Sequence, residues 1–163
     1  MDLIARARDT LERIVNAALA TVSPDGQPWN SPIFVAWSRS RTIYWSSLRD
    51  TVHSQNIATR PDVFLVVFDA ASSDQSGHAV YIRATAHELS DEAAVQAALD
   101  CLASRKKGKP KPAAEFLGEH PRRVYEAVPE TIWTNVVKME NGHYFDERVV
   151  VDIQSLRPPA SAG

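Results

Sequence analysis

The sequence predicts an α+β domain, mainly β, built on a closed or partly closed antiparallel barrel with helices inserted between its strands. Three observations carry this expectation. About seven short segments are rich in β-branched and aromatic residues or alternate apolar with polar ones. Turn residues punctuate them. Helical spacing appears at the start of the chain and again after residue 90, between strand patterns.

In order, Leu3, Ile4, Ala7, Leu11, Ile14, Val15 and Ala18 recur at helical spacing with charge between them, which predicts an opening helix. Ala18–Val22 reads as a strand, Ser23-Pro24-Asp25-Gly26 as a turn, and Gln27–Trp37 as the returning strand of a hairpin. Pro28 and Pro32 donate no ladder bonds, so this strand belongs at an edge or faces something other than a strand. Ser38–Arg41 turns the chain into a third strand, Thr42–Ser46. Asp50 or Thr51 caps a short helix through Thr59, stopped at Arg60-Pro61. Val63–Phe68 is a near-continuous apolar strand, and a polar loop, Ser72–Gly77, leads to a long strand, Ala79–Leu89. There Val80, Ile82, Ala84 and Ala86 alternate with Tyr81, Arg83, Thr85 and His87. Ser90-Asp91-Glu92 caps a helix through about Ala103, followed by a basic, proline-containing loop, Arg105–Pro112. Ala113–Ala127 reads as one or two short helices broken at Pro121. Thr131–Met139 and Tyr144–Ile153 form the last hairpin, turning at Asn141-Gly142, and Arg157–Gly163 is a frayed tail. One domain over residues 1–155 is expected, with a disordered tail at 156–163.

The 163 residues suit a single domain with its own core, and 44% hydrophobic with 23% charged residues is an ordinary globular mixture. A net charge of −2 gives no argument for binding nucleic acid or an anionic membrane. One cysteine, Cys101, permits no internal disulfide and no four-thiolate zinc site, and fits a reducing compartment. No apolar run has the length of a membrane helix, and charges interrupt the first residues, so a cytoplasmic location is expected.

There is no Gly-rich phosphate loop and no GxSxG elbow, and the five histidines fall in no metal-ligand spacing, so no metal site is expected. Cys101 lies on the apolar side of a predicted helix and reads as a packing residue. The informative stretch is Trp29–Pro61. Ser46, Ser47, Thr51, His53 and Ser54 gather where a strand ends and a helix begins. Hydroxyls, an imidazole and free helix N–H groups can cradle a phosphate, or the same residues can simply cap the helix and line a turn. Tyr81 and Arg83 face either a ligand cleft or solvent. Arg122 and Arg123 either bind an anion or form surface ion pairs. The run Arg105–Lys111 is either a solvated loop or a lid whose lysines attract an anionic substrate.

From about residue 10 to residue 153 the sequence resembles the pyridoxamine 5′-phosphate oxidase-related flavoproteins, with their FMN-binding split β-barrel. The resemblance rests on the order and spacing of several pieces. These are the opening helix, the Ala-Thr-Val…Asp-Gly-Gln-Pro hairpin, the strand Asn30–Val35, Tyr44-Trp45-Ser46-Ser47, the helix Thr51–Ile57, the strand Val80–Leu89, and Arg123–Trp133. The resemblance implies a homodimer of six- to seven-stranded barrels with cofactor sites at the interface, and an FMN-dependent oxidoreductase acting by hydride transfer on a small molecule. It implies that Asn30, Ser31, Pro32 and Ile33 lie along the flavin ring through their backbone. It further implies that Ser46, Ser47, Thr51, His53 and Ser54 hold the ribityl and phosphate end, and that Trp133 of a second copy covers the ring.

The sequence departs from the family in three places. Val52-His53 stands where firm FMN binders often carry Arg-Lys, Ala79 matches a glutamine that contacts the flavin, and the substrate-binding Arg-x-His near the C-terminus is absent. These departures speak against pyridoxamine phosphate as substrate. They leave a deazaflavin coenzyme, or a non-catalytic flavin- or haem-binding barrel, as alternatives. No catalytic residue is singled out.

Overall fold

The computed structural model describes residues 2–38, 41–70 and 78–156. The chain runs α1 (Leu3–Arg13), β1 (Asn16–Val22), β2 (Pro28–Phe34), β3 (Ala36–Trp37), β4 (Ile43–Leu48), α2 (Val52–Thr59), β5 (Asp62–Phe68), β6 (Ala79–Glu88), α3 (Glu92–Lys106), β7 (Arg122–Glu140) and β8 (His143–Val151). Short 3₁₀ turns cover Ala113–Phe116 and Ile153–Leu156. The eight strands form one antiparallel sheet in the order β2-β1-β5-β6-β7-β4-β3, with β8 added on β7. This is the α+β, mainly antiparallel architecture expected. The expected loop Ser72–Gly77 and the tail Arg157–Gly163 lie outside the described residues.

Side-chain alternation decides which face of the sheet is the core. One interior row runs across five strands: Leu19 opposite Leu65, Leu65 opposite Ile82, Ile82 opposite Ile132, and Ile132 opposite Val151. Leu19, Leu65, Ile82 and Ile132 are all fully buried. On the outer face, Ala18, Val66, Tyr81, Trp133 and Val150 form the neighbouring row, so the expected alternation of β6 holds.

The sheet curls until its two ends meet, and the closure is incomplete. β2 bends at Val35 into β3, which pairs with β4 at Tyr44 and Ile43. Above that point β2 pairs only with β1, and β4 only with β7. A seam is left between β2 and the upper half of β4. Pro28 and Pro32 sit on this edge strand, where a missing N–H breaks no ladder.

Four local expectations need correction. The opening helix ends at Arg13, not Ala18. Ile14, Val15 and Ala18 fit both helical and strand periods, and pairing of Asn16–Val22 with β2 decides in favour of the strand. Arg105 fixes that end, because its guanidinium donates to the carbonyls of Leu11, Glu12 and Ile14 at 2.5, 2.6 and 2.7 Å. Arg105 and Lys106 therefore belong to α3, not to a loop.

The segment Arg122–Ala127, read as helix from sequence, is the first third of a 19-residue strand. Its pairing with β4, Arg122 opposite Leu48 through Ala127 opposite Ile43, outweighs local propensity. Pro129 is tolerated inside this strand because the register shifts there. Ala84 pairs with Pro129 and Arg83 with Thr131, leaving Glu130 as a bulge. Finally, Leu156, placed in the tail from sequence, is 1% exposed and belongs to the core.

The turn at Asn141-Gly142 is as expected. Both residues have positive φ (51° and 80°), the signature of a tight hairpin turn that Asn-Gly adopts with little strain.

Candidate functional site

The site forms where α2 packs against β1, β2 and β6 beside the seam. Thr51 is the N-cap, in extended conformation, and Arg60, also extended ahead of Pro61, ends the helix. Buried Asn56 docks α2 on β1 by donating to Thr21 Oγ1 at 3.0 Å. This turns His53 inward, where it is 8% exposed.

His53 bridges the seam. Its Nδ1 lies 3.2 Å from Ser31 Oγ on β2, and its Nε2 lies 2.8 Å from Ser47 Oγ on β4. Two strands that share no backbone ladder at this point are joined through one imidazole. Thr51 Oγ1 stands 3.2 Å from His53 Nε2, 2.8 Å from Ser54 Oγ and 3.4 Å from Ser47 Oγ. Trp29, half-exposed at the end of β2, donates its indole N–H to Ser31 Oγ at 3.0 Å.

The cluster therefore holds four hydroxyls and one imidazole at the start of a helix. Thr51 makes no side-chain bond to a first-turn N–H of α2, so those donors remain directed at whatever sits in front of the helix. Among the described residues, no lysine or arginine side chain bonds to the cluster. Burial pushes the His53 imidazole below its ordinary 6.5, so the cluster is uncharged at neutral pH. Such a donor set suits a phosphate or similar anion, whose charge would in turn favour protonation of His53.

A pH prediction follows for the protein alone. The unfolded chain takes up a proton on His53 near 6.5, before the folded chain does. The stability due to this group is complete above pH 6.5 and lost as pH falls below it toward the lowered folded value. Urea midpoints at pH 7.5 and 5.5 should separate more in the wild type than in His53→Asn.

The structure thus brings Ser31, Ser47, Thr51, His53 and Ser54 together. Ser46 does not join them, because it lies on the opposite face of β4. There, with Phe34 and Arg122, it lines a cleft of about 450 Å³ between the barrel and α3. Asn30 and Pro32 are exposed on the outer side of β2, whereas the Ile33 side chain lies in the core, so Ile33 can meet a ligand only through its backbone.

Trp133 is on the outer sheet face, stacked on Phe64 at 6.2 Å between centroids, in the half of β7 that pairs with β6 and β8 and not with β4. Arg83 shares that face, paired with Glu130 at 3.4 Å, and Tyr81 lies under Arg148. Arg123 is buried. It bonds Glu88 Oε1 at 2.8 Å and the carbonyls of Gly118, His120 and Arg122, so it anchors a loop and faces no anion site. Burial, ahead of a lesser opposing effect of Arg105, raises the Cys101 thiol and leaves it a poor nucleophile.

Two supports of the site escape sequence reasoning. Trp29 orients Ser31. Tyr125 reaches both Ser54 and Glu88, and burial is the main reason its phenol is raised. A strand assignment for residues 122–127 would have placed Tyr125 beside Trp45. Among the described residues no helix is long and apolar enough to cross a membrane, and no group of three or more His, Cys, Asp or Glu side chains is arranged to hold a metal.

The family model described as pyridoxamine 5′-phosphate oxidase matches residues 3–135. No curated protein matches the sequence. Among solved structures, the protein Atu2129, of unknown function, from Agrobacterium tumefaciens is similar at TM-score 0.67 and 21% identity, over 81% of this chain and 55% of that one. The chain thus spans about half the length of that relative. An F420 reductase is similar at TM-score 0.57 and 20% identity, over 77% of this chain and 94% of its own. A heme binding protein from Mycobacterium smegmatis is similar at TM-score 0.65 and 17% identity, over 96% of this chain and 60% of its own.

Proposed function

The chain belongs to the pyridoxamine 5′-phosphate oxidase family, and on that premise we propose that it is a flavin-dependent oxidoreductase that binds FMN, works as a homodimer and acts on a small organic molecule. The observation that carries this reading is the hydroxyl–imidazole cluster across the seam. Ser47, Thr51, His53 and Ser54 would hold the phosphate with the first N–H groups of α2, and Ser31 would hold His53 in line. The unpaired edge of β2, from Asn30 to Ile33, would face the ring through its backbone. Bound FMN supplies hydride transfer, and this chain's own part is to bind, orient and shield it.

The absence of fixed positive charge in the cluster supports a second reading for the cofactor. A deazaflavin coenzyme carries its phosphate as a diester with one negative charge, which a neutral donor set accommodates at lower cost than a dianion. The missing Arg-x-His speaks for a substrate other than pyridoxamine phosphate; the matching region is the β7–β8 hairpin, with Tyr144 74% and Phe145 51% exposed.

The outer face supports the dimer. The row Ala18, Val66, Tyr81, Trp133 and Val150 continues into Phe68, 49% exposed, and Val150 is itself 64% exposed. An apolar row of this kind, flanked by Arg83 over Trp133 and Arg148 over Tyr81, suits a self-complementary interface, which would bring Trp133 of a second copy to the ring.

The test is an absorption spectrum of the purified protein before and after addition of FMN and then of deazaflavin, followed by gel filtration. One FMN per chain on a dimer is the expected result. A Soret band would move the protein to the haem binders, and uptake of neither flavin would overturn the cofactor assignment.

A further inference from the structure

We infer that the cleft between β4 and α3 binds organic anions with an apolar body, carboxylates or phosphate monoesters, and that these form the substrate class; only the second half of this rests on the oxidoreductase reading. The floor is apolar. Leu99 and Leu102 of α3 and Phe116 of the 3₁₀ turn are 6%, 6% and 4% exposed, and they line the cleft with Phe34. The rim is cationic, made of Lys106, Lys109, Lys111 and Arg122.

Among the described residues, Lys111 pairs with Glu115 at 3.4 Å, while Lys106, Lys109 and Arg122 make no ion pair. Lys106 Nζ instead stands 4.5 Å above the Phe34 ring, at the border between rim and floor. In a chain of net charge −2, this is a local concentration of positive charge against the overall sign.

The basic loop is held in place. Lys107, at φ 53°, caps α3 with its N–H on Ala103 and Ser104. Gln96 then pins the far end, donating to the Lys111 carbonyl at 3.2 Å and accepting from the Ala113 N–H at 2.9 Å. The lysines are thus presented by a braced turn, which lowers the ordering cost of gripping a ligand. A volume of about 450 Å³ admits a molecule of metabolite or drug size. A charged head at the rim and an apolar body on the floor satisfy both halves of the lining. An inorganic ion leaves the floor wet, and a neutral apolar molecule leaves the cations unanswered.

Isothermal titration of the purified full chain with octanoate, octyl phosphate, octan-1-ol and acetate tests this. Octanoate or octyl phosphate should bind once per chain. Octan-1-ol and acetate should each bind at least tenfold more weakly than the better anion, and chain extension from butanoate should tighten binding by up to about fourfold per methylene. Tighter binding of octyl phosphate assigns phosphate esters, and the reverse assigns carboxylates. Lys109→Gln/Lys111→Gln and Arg122→Gln, all at exposed positions, should weaken the better anion at least fivefold each. Octan-1-ol binding as tightly as both anions, unchanged affinity in both charge variants, or no binding of either anion would overturn the proposal. Anion binding by a protein that takes up no flavin would leave the cleft standing and remove only the oxidoreductase reading.

Discussion

Replacing His53 with alanine is expected to weaken FMN binding by roughly 1.5–3 kcal/mol, or about one to two orders of magnitude in Kd, the range for a hydrogen bond to a charged group. Two effects add. The anion loses a donor that it would itself keep protonated, and Ser31 and Ser47 lose the imidazole 3.2 and 2.8 Å away that positions them. The pH profile distinguishes a ligand contact from a merely structural one. Burial lowers the imidazole below 6.5 in the empty site, and a bound phosphate reverses that pressure. Wild-type affinity should therefore rise as pH falls from 8 toward about 6.5, while the alanine variant stays flat. Fluorescence titration of FMN at several pH values gives both readings. Equal affinities at every pH would remove His53 from the phosphate site.

Trp45→Ala is expected to cost about 3–5 kcal/mol of stability, the usual range for deleting a large buried aromatic. For a chain of this length that corresponds to a fall of roughly 6–20 °C in Tm. Trp45 is fully buried, stacks on Tyr125 at 5.6 Å and 14°, and lies directly opposite it in the β4–β7 ladder. Because Tyr125 supports Ser54, the loss should reach the cofactor site as well, with weaker FMN binding even in molecules that remain folded. Trp45→Phe is the control. It keeps the ring and discards an indole N–H that is buried without a partner, so its cost should be a fraction of the alanine value. Thermal unfolding of the three proteins checks the order.

The residues that announce the fold in the sequence are those whose pattern has one meaning. Val80 to His87 alternates strictly and sits in the sheet as read, and Asn141-Gly142 fits only a tight turn with two positive φ angles. The misread segments carry patterns with two meanings. Ile14 to Ala18 satisfies both a helix and a strand, and the arbiter is β2, which lies downstream. Arg122–Ala127 has no alternation because both of its faces are covered, Tyr125 against the barrel interior and Val124 against the α3 cluster.

The cluster was legible because Ser47, Thr51, His53 and Ser54 lie within one strand–helix junction. Ser31 has no such mark: the resemblance sets it along the flavin ring, and 22 residues separate it from His53, so its place in the cluster comes from the fold. The separation of Ser46 from Ser47 follows from strand pleating once β4 is known to have an interior face. The role of Gln96 in bracing the basic loop depends on a contact across 15 residues, for which the sequence carries no local mark.

Glu130 acts as a phase shifter. Before it, the odd-numbered Tyr125 and Ala127 point inward, and after it the even-numbered Ile132 and Thr134 do. Along this 19-residue strand the spare residue takes no place in the in–out alternation, so the numbering parity changes across it while the facing does not, and the strand bends there. Remove that residue and the two halves fall into a single frame. In that frame Tyr125, Ala127 and Ile132 would still face inward and Trp133 outward, so what disappears is the extra bend and twist the bulge puts into the strand. The sheet therefore tolerates substitution at Glu130, whose side chain lies on the surface with Arg83 and Thr85. What the position contributes is a count of peptide units, and a glycine or a lysine there counts the same.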